Sequence, residues 1–149
     1  MPKLTDNLRG VIEETGLKDG MCISFHHHLR NGDRVLNMVM DTVAEMGIRN
    51  LTVNASSLLD VHLPIIDHIK NGVVTAIETN YIAPKLGCEI SKGILEKPVI
   101  FRSHGGRAGA IDTGVSSIDV AFLAASCADC MGNCTGQLGV SAFGSIGYA

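Results

Sequence analysis

The feature that most constrains this chain is its alternation of short apolar runs with stretches whose apolar residues recur at helical spacing. Met21 to Phe25, Leu51 to Val53, Val74 to Glu78, Val99 to Phe101 and Val120 to Leu123 are brief and apolar, the pattern of buried strands. Between the first two, Val35, Leu36, Val39, Met40, Val43 and Met46 recur at helical spacing after Asp33, a capping residue, and stop at Gly47. Pro64 opens a further helix that Gly72 closes. Another is expected from Pro84 through Leu95, turning Leu86, Ile90, Ile94 and Leu95 inward, and the stretch TDNLRGVIEETG reads as a first helix capped by Thr5 or Asp6 and stopped by Gly16. Strands apolar on both faces that alternate with amphipathic helices predict an α/β fold, a three-layer sandwich with a mostly parallel sheet at its centre.

With 149 residues, 46% of them hydrophobic, the chain has the material for one domain core. Aromatic residues are only 4% and Trp is absent, so that core must be built from Val, Ile, Leu, Met and Ala. A formal charge of -3 and a pI near 6.0 give no basic field for nucleic acid or an anionic membrane. Any anion must therefore be bound locally. The N-terminal MPKLTDNLRG lacks the apolar core of a signal peptide, and no run approaches the roughly 18 apolar residues of a membrane span, so a cytoplasmic location is expected. The odd number of Cys, 5 in all, fits reduced thiols better than a disulfide framework.

In open parallel sheets, ligands bind beyond the C-terminal ends of the strands. That rule selects the loops FHHHLRNGD, NASSL, TNYIAP, SHGGRAG and ASCADCMGNCTG. In an extended segment His26 and His28 share one side and His27 takes the other. The pair could hold a metal, but no further ligands are evident, and hydrogen bonding within the loop or contact with a substrate are the other readings. In SHGGRAG, Gly105 and Gly106 would let backbone N–H groups approach an anion while Arg107 supplies a forked cation suited to carboxylate or phosphate. The plainer reading is a glycine turn with a solvated Arg. The spacing C-x2-C-x3-C in CADCMGNC suggests zinc or an iron–sulfur cluster, but three thiols fall short of four ligands unless His104 or Cys88 joins them.

Read together, ISFHHHLRNGDRVLNMVMDTVAEMGI, VHLPIIDHIKNGVV, EKPVIFRSHGGRAGAI and IDVAFLAASCADCMGNCTG resemble the citrate lyase alpha-subunit family, its citrate CoA-transferase component, and through it the wider CoA-transferase family. The likeness runs through nearly the whole chain, whereas AD-x-x-GN-x-x-G alone would indicate only a general CoA-transferase loop. It implies a CoA-transferase-like domain and an exchange of acetyl for citryl on the thioester of an acyl carrier protein, releasing acetate, through a mixed anhydride. It also implies partner beta and gamma subunits, a homo-oligomer, and a prosthetic group derived from dephospho-CoA on the gamma carrier. No tightly bound cofactor is expected in this chain itself, and CoA thioesters are possible substrates.

The sequence departs from the family at the three Cys of CADCMGNC, so no family role passes to these thiols. Residues 1–149 are expected to form a single N-terminal domain followed by a second, related one. The glutamate region of many CoA-transferases lies in that second part, so no catalytic nucleophile is assigned here. The expected substrate-binding residues are His26, His27, His28, Ser103, His104, Gly105, Gly106, Arg107 and Asn133, with no metal ligand among them. Arg107 would bind a carboxylate or phosphate, Gly105, Gly106 and Asn133 would shape backbone donors, and the histidines would orient substrate or stabilise developing negative charge. The competing readings are a nonenzymatic ligand-binding or assembly module of the same fold and a metal protein using the His and Cys loops.

Overall fold

The computed structural model describes residues 3–26 and 33–137. Its five-stranded sheet comprises β1 (Cys22–His26), β2 (Leu51–Ala55), β3 (Val74–Thr79), β4 (Ile100–Phe101) and β5 (Val120–Leu123), in the spatial order β4-β3-β2-β1-β5. Every pairing is parallel. The helices are α1 (Leu8–Thr15), α2 (Val35–Glu45), α3 (Ile65–Lys70), α4 (Pro84–Ile90) and α5 (His104–Asp112). A two-residue-per-strand antiparallel ribbon, β6 (Cys127–Ala128) with β7 (Cys134–Thr135), follows the sheet. Among the described residues no helix is long and apolar enough to cross a membrane.

The expected segments all enter the sheet, but the strands are not apolar on both faces. Register aligns Ile23 with Val53 and Val53 with Ile77 on one side, where they join the buried apolar cluster with Leu36, Met40, Ile65 and Leu86 from the helices. On the other side the same register aligns Ser24 with Asn54 and Asn54 with Glu78. The handedness of parallel crossovers explains which helix covers which face. The steps from β1 through β4 all move one way across the sheet and place α2, α3 and α4 together, while the return from β4 to β5 places α5 opposite. The second helical layer is therefore one short helix lying on polar side chains. Phe25 and Phe122, paired in register, stack at 5.5 Å and tie the returning strand β5 to β1 on the apolar side.

Element ends follow local chemistry. Asn7, rather than Thr5 or Asp6, caps α1, its Oδ1 accepting from the Gly10 N–H at 3.0 Å. Gly16 closes that helix at φ 71, a left-handed conformation that a Cβ disfavours. Asp33 Oδ1 accepts from the Val35 N–H at 2.9 Å at the start of α2. The helix expected to reach Leu95 stops at Ile90, because Gly93 at φ 79 turns the chain; Ile94 and Leu95 still pack against the core as half-buried residues.

Candidate active site at the switch point

The direction of winding reverses between β1 and β5. Chains leaving the C-terminal ends of two such neighbours diverge to opposite faces and leave a crevice, the usual ligand position in open α/β sheets. His26 ends β1 and is paired with Leu123, which ends β5. His26 is half-buried and Leu123 exposed. His27 and His28 lie outside the described residues. Asn133 sits in the turn of the ribbon after β5, exposed, with its N–H and Nδ2 donating to Asp129 at 3.0 and 2.9 Å. Those bonds from Asn133 hold the Asp129 carboxyl below the usual carboxylate range. Asn133 thus fixes the shape of its own loop.

SHGGRAG is a helix start, not a loop. Ser103 caps α5, its Oγ accepting from the Gly106 N–H at 3.0 Å. A Cβ on residue 106 would stand 2.9 Å from that Oγ, so a larger residue there would have to shift the Ser103 side chain. Outside its own helix backbone and chain neighbours, no described residue lies within 4 Å of where a Cβ on Gly105 would sit, and Ser103, His104, Gly105 and Gly106 are all exposed.

Arg107 departs most from the sequence expectation, which placed its guanidinium at the rim or in solvent. It is 1% exposed, turned under α5 onto the polar face of the sheet. Its Nε donates to Asn54 Oδ1 and its Nη2 to Ser24 Oγ, each at 2.8 Å. Asn54 Nδ2 donates to Ser116 Oγ at 2.8 Å, and Ser116 donates on to Glu78 Oε2 at the same distance. Arg102 Nε approaches that carboxylate oxygen at 3.4 Å. The amide orientation of Asn54 is thereby determined, since only its oxygen can accept from Arg107 and only its nitrogen can donate to Ser116. Among the described residues, Arg107 reaches β1 through Ser24, two residues before His26.

The profile of the family described as Citrate lyase, alpha subunit (CitF) matches residues 1–149. This chain belongs to the citrate lyase alpha-subunit family. It is 53% identical to the citrate lyase alpha chain of Klebsiella pneumoniae over 147 residues, and 52% identical over the same length to that of Haemophilus influenzae (strain ATCC 51907 / DSM 11121 / KW20 / Rd). In both comparisons the match covers 99% of this chain and 29% of the relative. A solved structure of the alpha subunit of citrate lyase from Streptococcus mutans, in complex with citrate, superposes with a TM-score of 0.94 at 54% identity. It too is matched over 99% of this chain and 29% of its own length. The chain therefore spans under a third of the relatives it matches.

Within this citrate lyase alpha-subunit fold the thiols are dispersed. Cys127 is paired with Thr135 and Ala128 with Cys134, so Cys127 and Cys134 project from opposite faces of the ribbon. Cys88, Cys127, Cys130 and Cys134 are exposed and free, and among the described residues no group of three His, Cys, Asp or Glu side chains converges on a common point. Cys22 is different. It lies on the polar face, and burial, with the negative charges of Glu78 and Asp119 and against the pull of Arg107, pushes its thiol from 9.0 up to about 12.

Sequence reasoning passed over Ser24, Asn54, Glu78 and Ser116. For the first three the signal was present as a polar residue within a mainly apolar strand, Ser24 in ISF, Asn54 in TVNA and Glu78 in AIET, at positions that align once the strands are paired in parallel. His62 was also missed. Fully buried in the 3-10 turn at Asp60–His62, it accepts from the Leu59 N–H at Nδ1 (3.0 Å), which leaves the proton on Nε2 to donate to the Asp33 carbonyl at 3.3 Å. That bond ties the connection after β2 to the residue that opens α2.

Proposed function

We propose that this chain supplies one wall of the acyl-exchange crevice of a citrate CoA-transferase, in which citrate takes the place of acetate on the thioester of an acyl carrier protein. The observation that carries the reading is the coincidence of family and position: a chain of this family places His26 at the strand-end switch point, where an open α/β sheet binds its ligand. The citrate bound to the solved Streptococcus mutans subunit supports a tricarboxylate as the ligand. His26, with His27 and His28, would orient citrate, and Ser103 to Gly106 of α5 and Asn133 of the ribbon would contribute polar groups to its binding. The carrier's dephospho-CoA-derived group would present the thioester, and beta and gamma subunits would complete the assembly.

The exchange balances as two acyl transfers. A citrate carboxylate oxygen attacks the acetyl carbonyl and the carrier thiolate leaves, giving a mixed anhydride. The thiolate then attacks the citryl carbonyl, and acetate departs with the oxygen that came from citrate. Full-length enzyme given acetyl-carrier and citrate labelled with oxygen-18 in its carboxylates is expected to release acetate bearing one labelled oxygen. Mass spectrometry that finds unlabelled acetate alone would contradict this route, and citryl-carrier failing to form would contradict the activity. The 149-residue chain alone is expected to show little or no turnover.

A further inference from the structure

We propose that Arg107 is a positioning residue, which sets the C-terminal end of β1 through Ser24 and Asn54 rather than touching substrate. The inference rests on the crevice reading for what β1 is positioned to do, and on the geometry alone for how. Arg107 is 1% exposed, and its Nε and Nη2 donate to acceptors at 2.8 Å, so a carboxylate could take the Nε–Nη2 edge of the fork only by displacing Asn54 or Ser24. Those acceptors are register partners on adjacent strands. A rigid planar fork that bonds both fixes β1 against β2 one step below the rim, and the next side chain of β1 on that same face is His26.

The surrounding polarity strengthens this assignment. From Arg107 the donors run in one direction, through the Asn54 amide and the Ser116 hydroxyl, to the Glu78 carboxylate. A positive group at one end and a negative group at the other polarise each bond between them, which holds the array in a single arrangement. On the far side of β1 the polar face is bare: Ala121 and Leu123 of the edge strand β5 are exposed. The strut therefore stands where that face lacks packing, on the strand that borders the switch point. Lys would retain the charge without the fork and could not bond both strands in the same way.

The test uses isotope-labelled chain carrying Arg107→Lys, Ser24→Ala or Ser24→Thr, with the His26 imidazole and the Leu123 amide followed by NMR. Arg107→Lys and Ser24→Ala are expected to shift both signals and Ser24→Thr, which keeps the hydroxyl, to restore them. Citrate added to the wild-type chain is expected to leave the Arg107 Nε–H signal in place. An Nε–H signal that moves with citrate, together with His26 signals indifferent to Ser24→Ala, would overturn the proposal and make Arg107 a ligand. Should Arg107→Lys fail to fold, the Ser24 pair still decides. Should citrate bind nowhere, the crevice reading falls, while the response of His26 to Ser24→Ala judges the strut independently.

Discussion

At the scale of single residues, the polar face of the sheet gives each side chain a distinct reactivity. Cys22 sits among Glu78, Asp119 and Arg107 with its thiol raised to about 12, so at pH 8 it is protonated and a poor nucleophile. The other four cysteines are exposed. Native chain treated with excess iodoacetamide at pH 8 is expected to take four adducts quickly and the fifth only in denaturant; five rapid adducts by intact mass would contradict the environment assigned to Cys22. Arg107 shows what residue-level reading can and cannot reach. Its type and its glycine neighbours identified an anion-binding fork, but they carry no information on which way a side chain turns from a helix. That depends on Ser24 and Asn54, remote in sequence and brought beneath it only by parallel pairing. Replacing Arg107 by Met would leave buried acceptors without their donor, at a cost of about 3 kcal/mol or more. A melting temperature unchanged in Arg107→Met would contradict the buried geometry and return the residue to the rim.

At the scale of elements, most of the secondary structure was legible because it rests on local rules. Helix period, Pro64 at a helix opening and glycines at helix ends are read one turn at a time. The exceptions have local physical reasons too. Asn7 outcompetes Thr5 and Asp6 because its oxygen meets the Gly10 N–H, and α4 stops early because Gly93 adopts positive φ. The glycines of SHGGRAG suggested a loop through their low helix propensity, but Ser103 caps the segment and Arg107 and Ala110 bury one side of it. The cap can be isolated from any contact with substrate. Ser103→Ala is expected to cost about 1 kcal/mol, lowering the melting temperature by roughly 2–4 °C, whereas Ser103→Asp keeps an oxygen acceptor and stays near wild type. Equal loss in both variants would mean that the hydroxyl serves something other than the helix end.

At the scale of the whole molecule, the order β4-β3-β2-β1-β5 determines where chemistry can occur. The alternating pattern announced a parallel sheet, but strand order is not written in period or composition. It is set by which connection reverses direction, and here β5 returns past three strands to lie beside β1. His26 at the end of β1 therefore borders the reversal, while the equally polar ends of β2 and β3 lie inside the sheet. The polar second face was illegible for the same reason, since Ser24, Asn54 and Glu78 form one row only when paired in register. The direct test of the switch-point crevice is a citrate titration of the nitrogen-15-labelled chain followed by amide shifts. Shifts are expected to concentrate on His26, on Phe122 to Ala125 and on the first turn of α5. Shifts confined to the α2–α3 groove at Arg34, Asn37 and Asp41, or none at millimolar citrate, would contradict it.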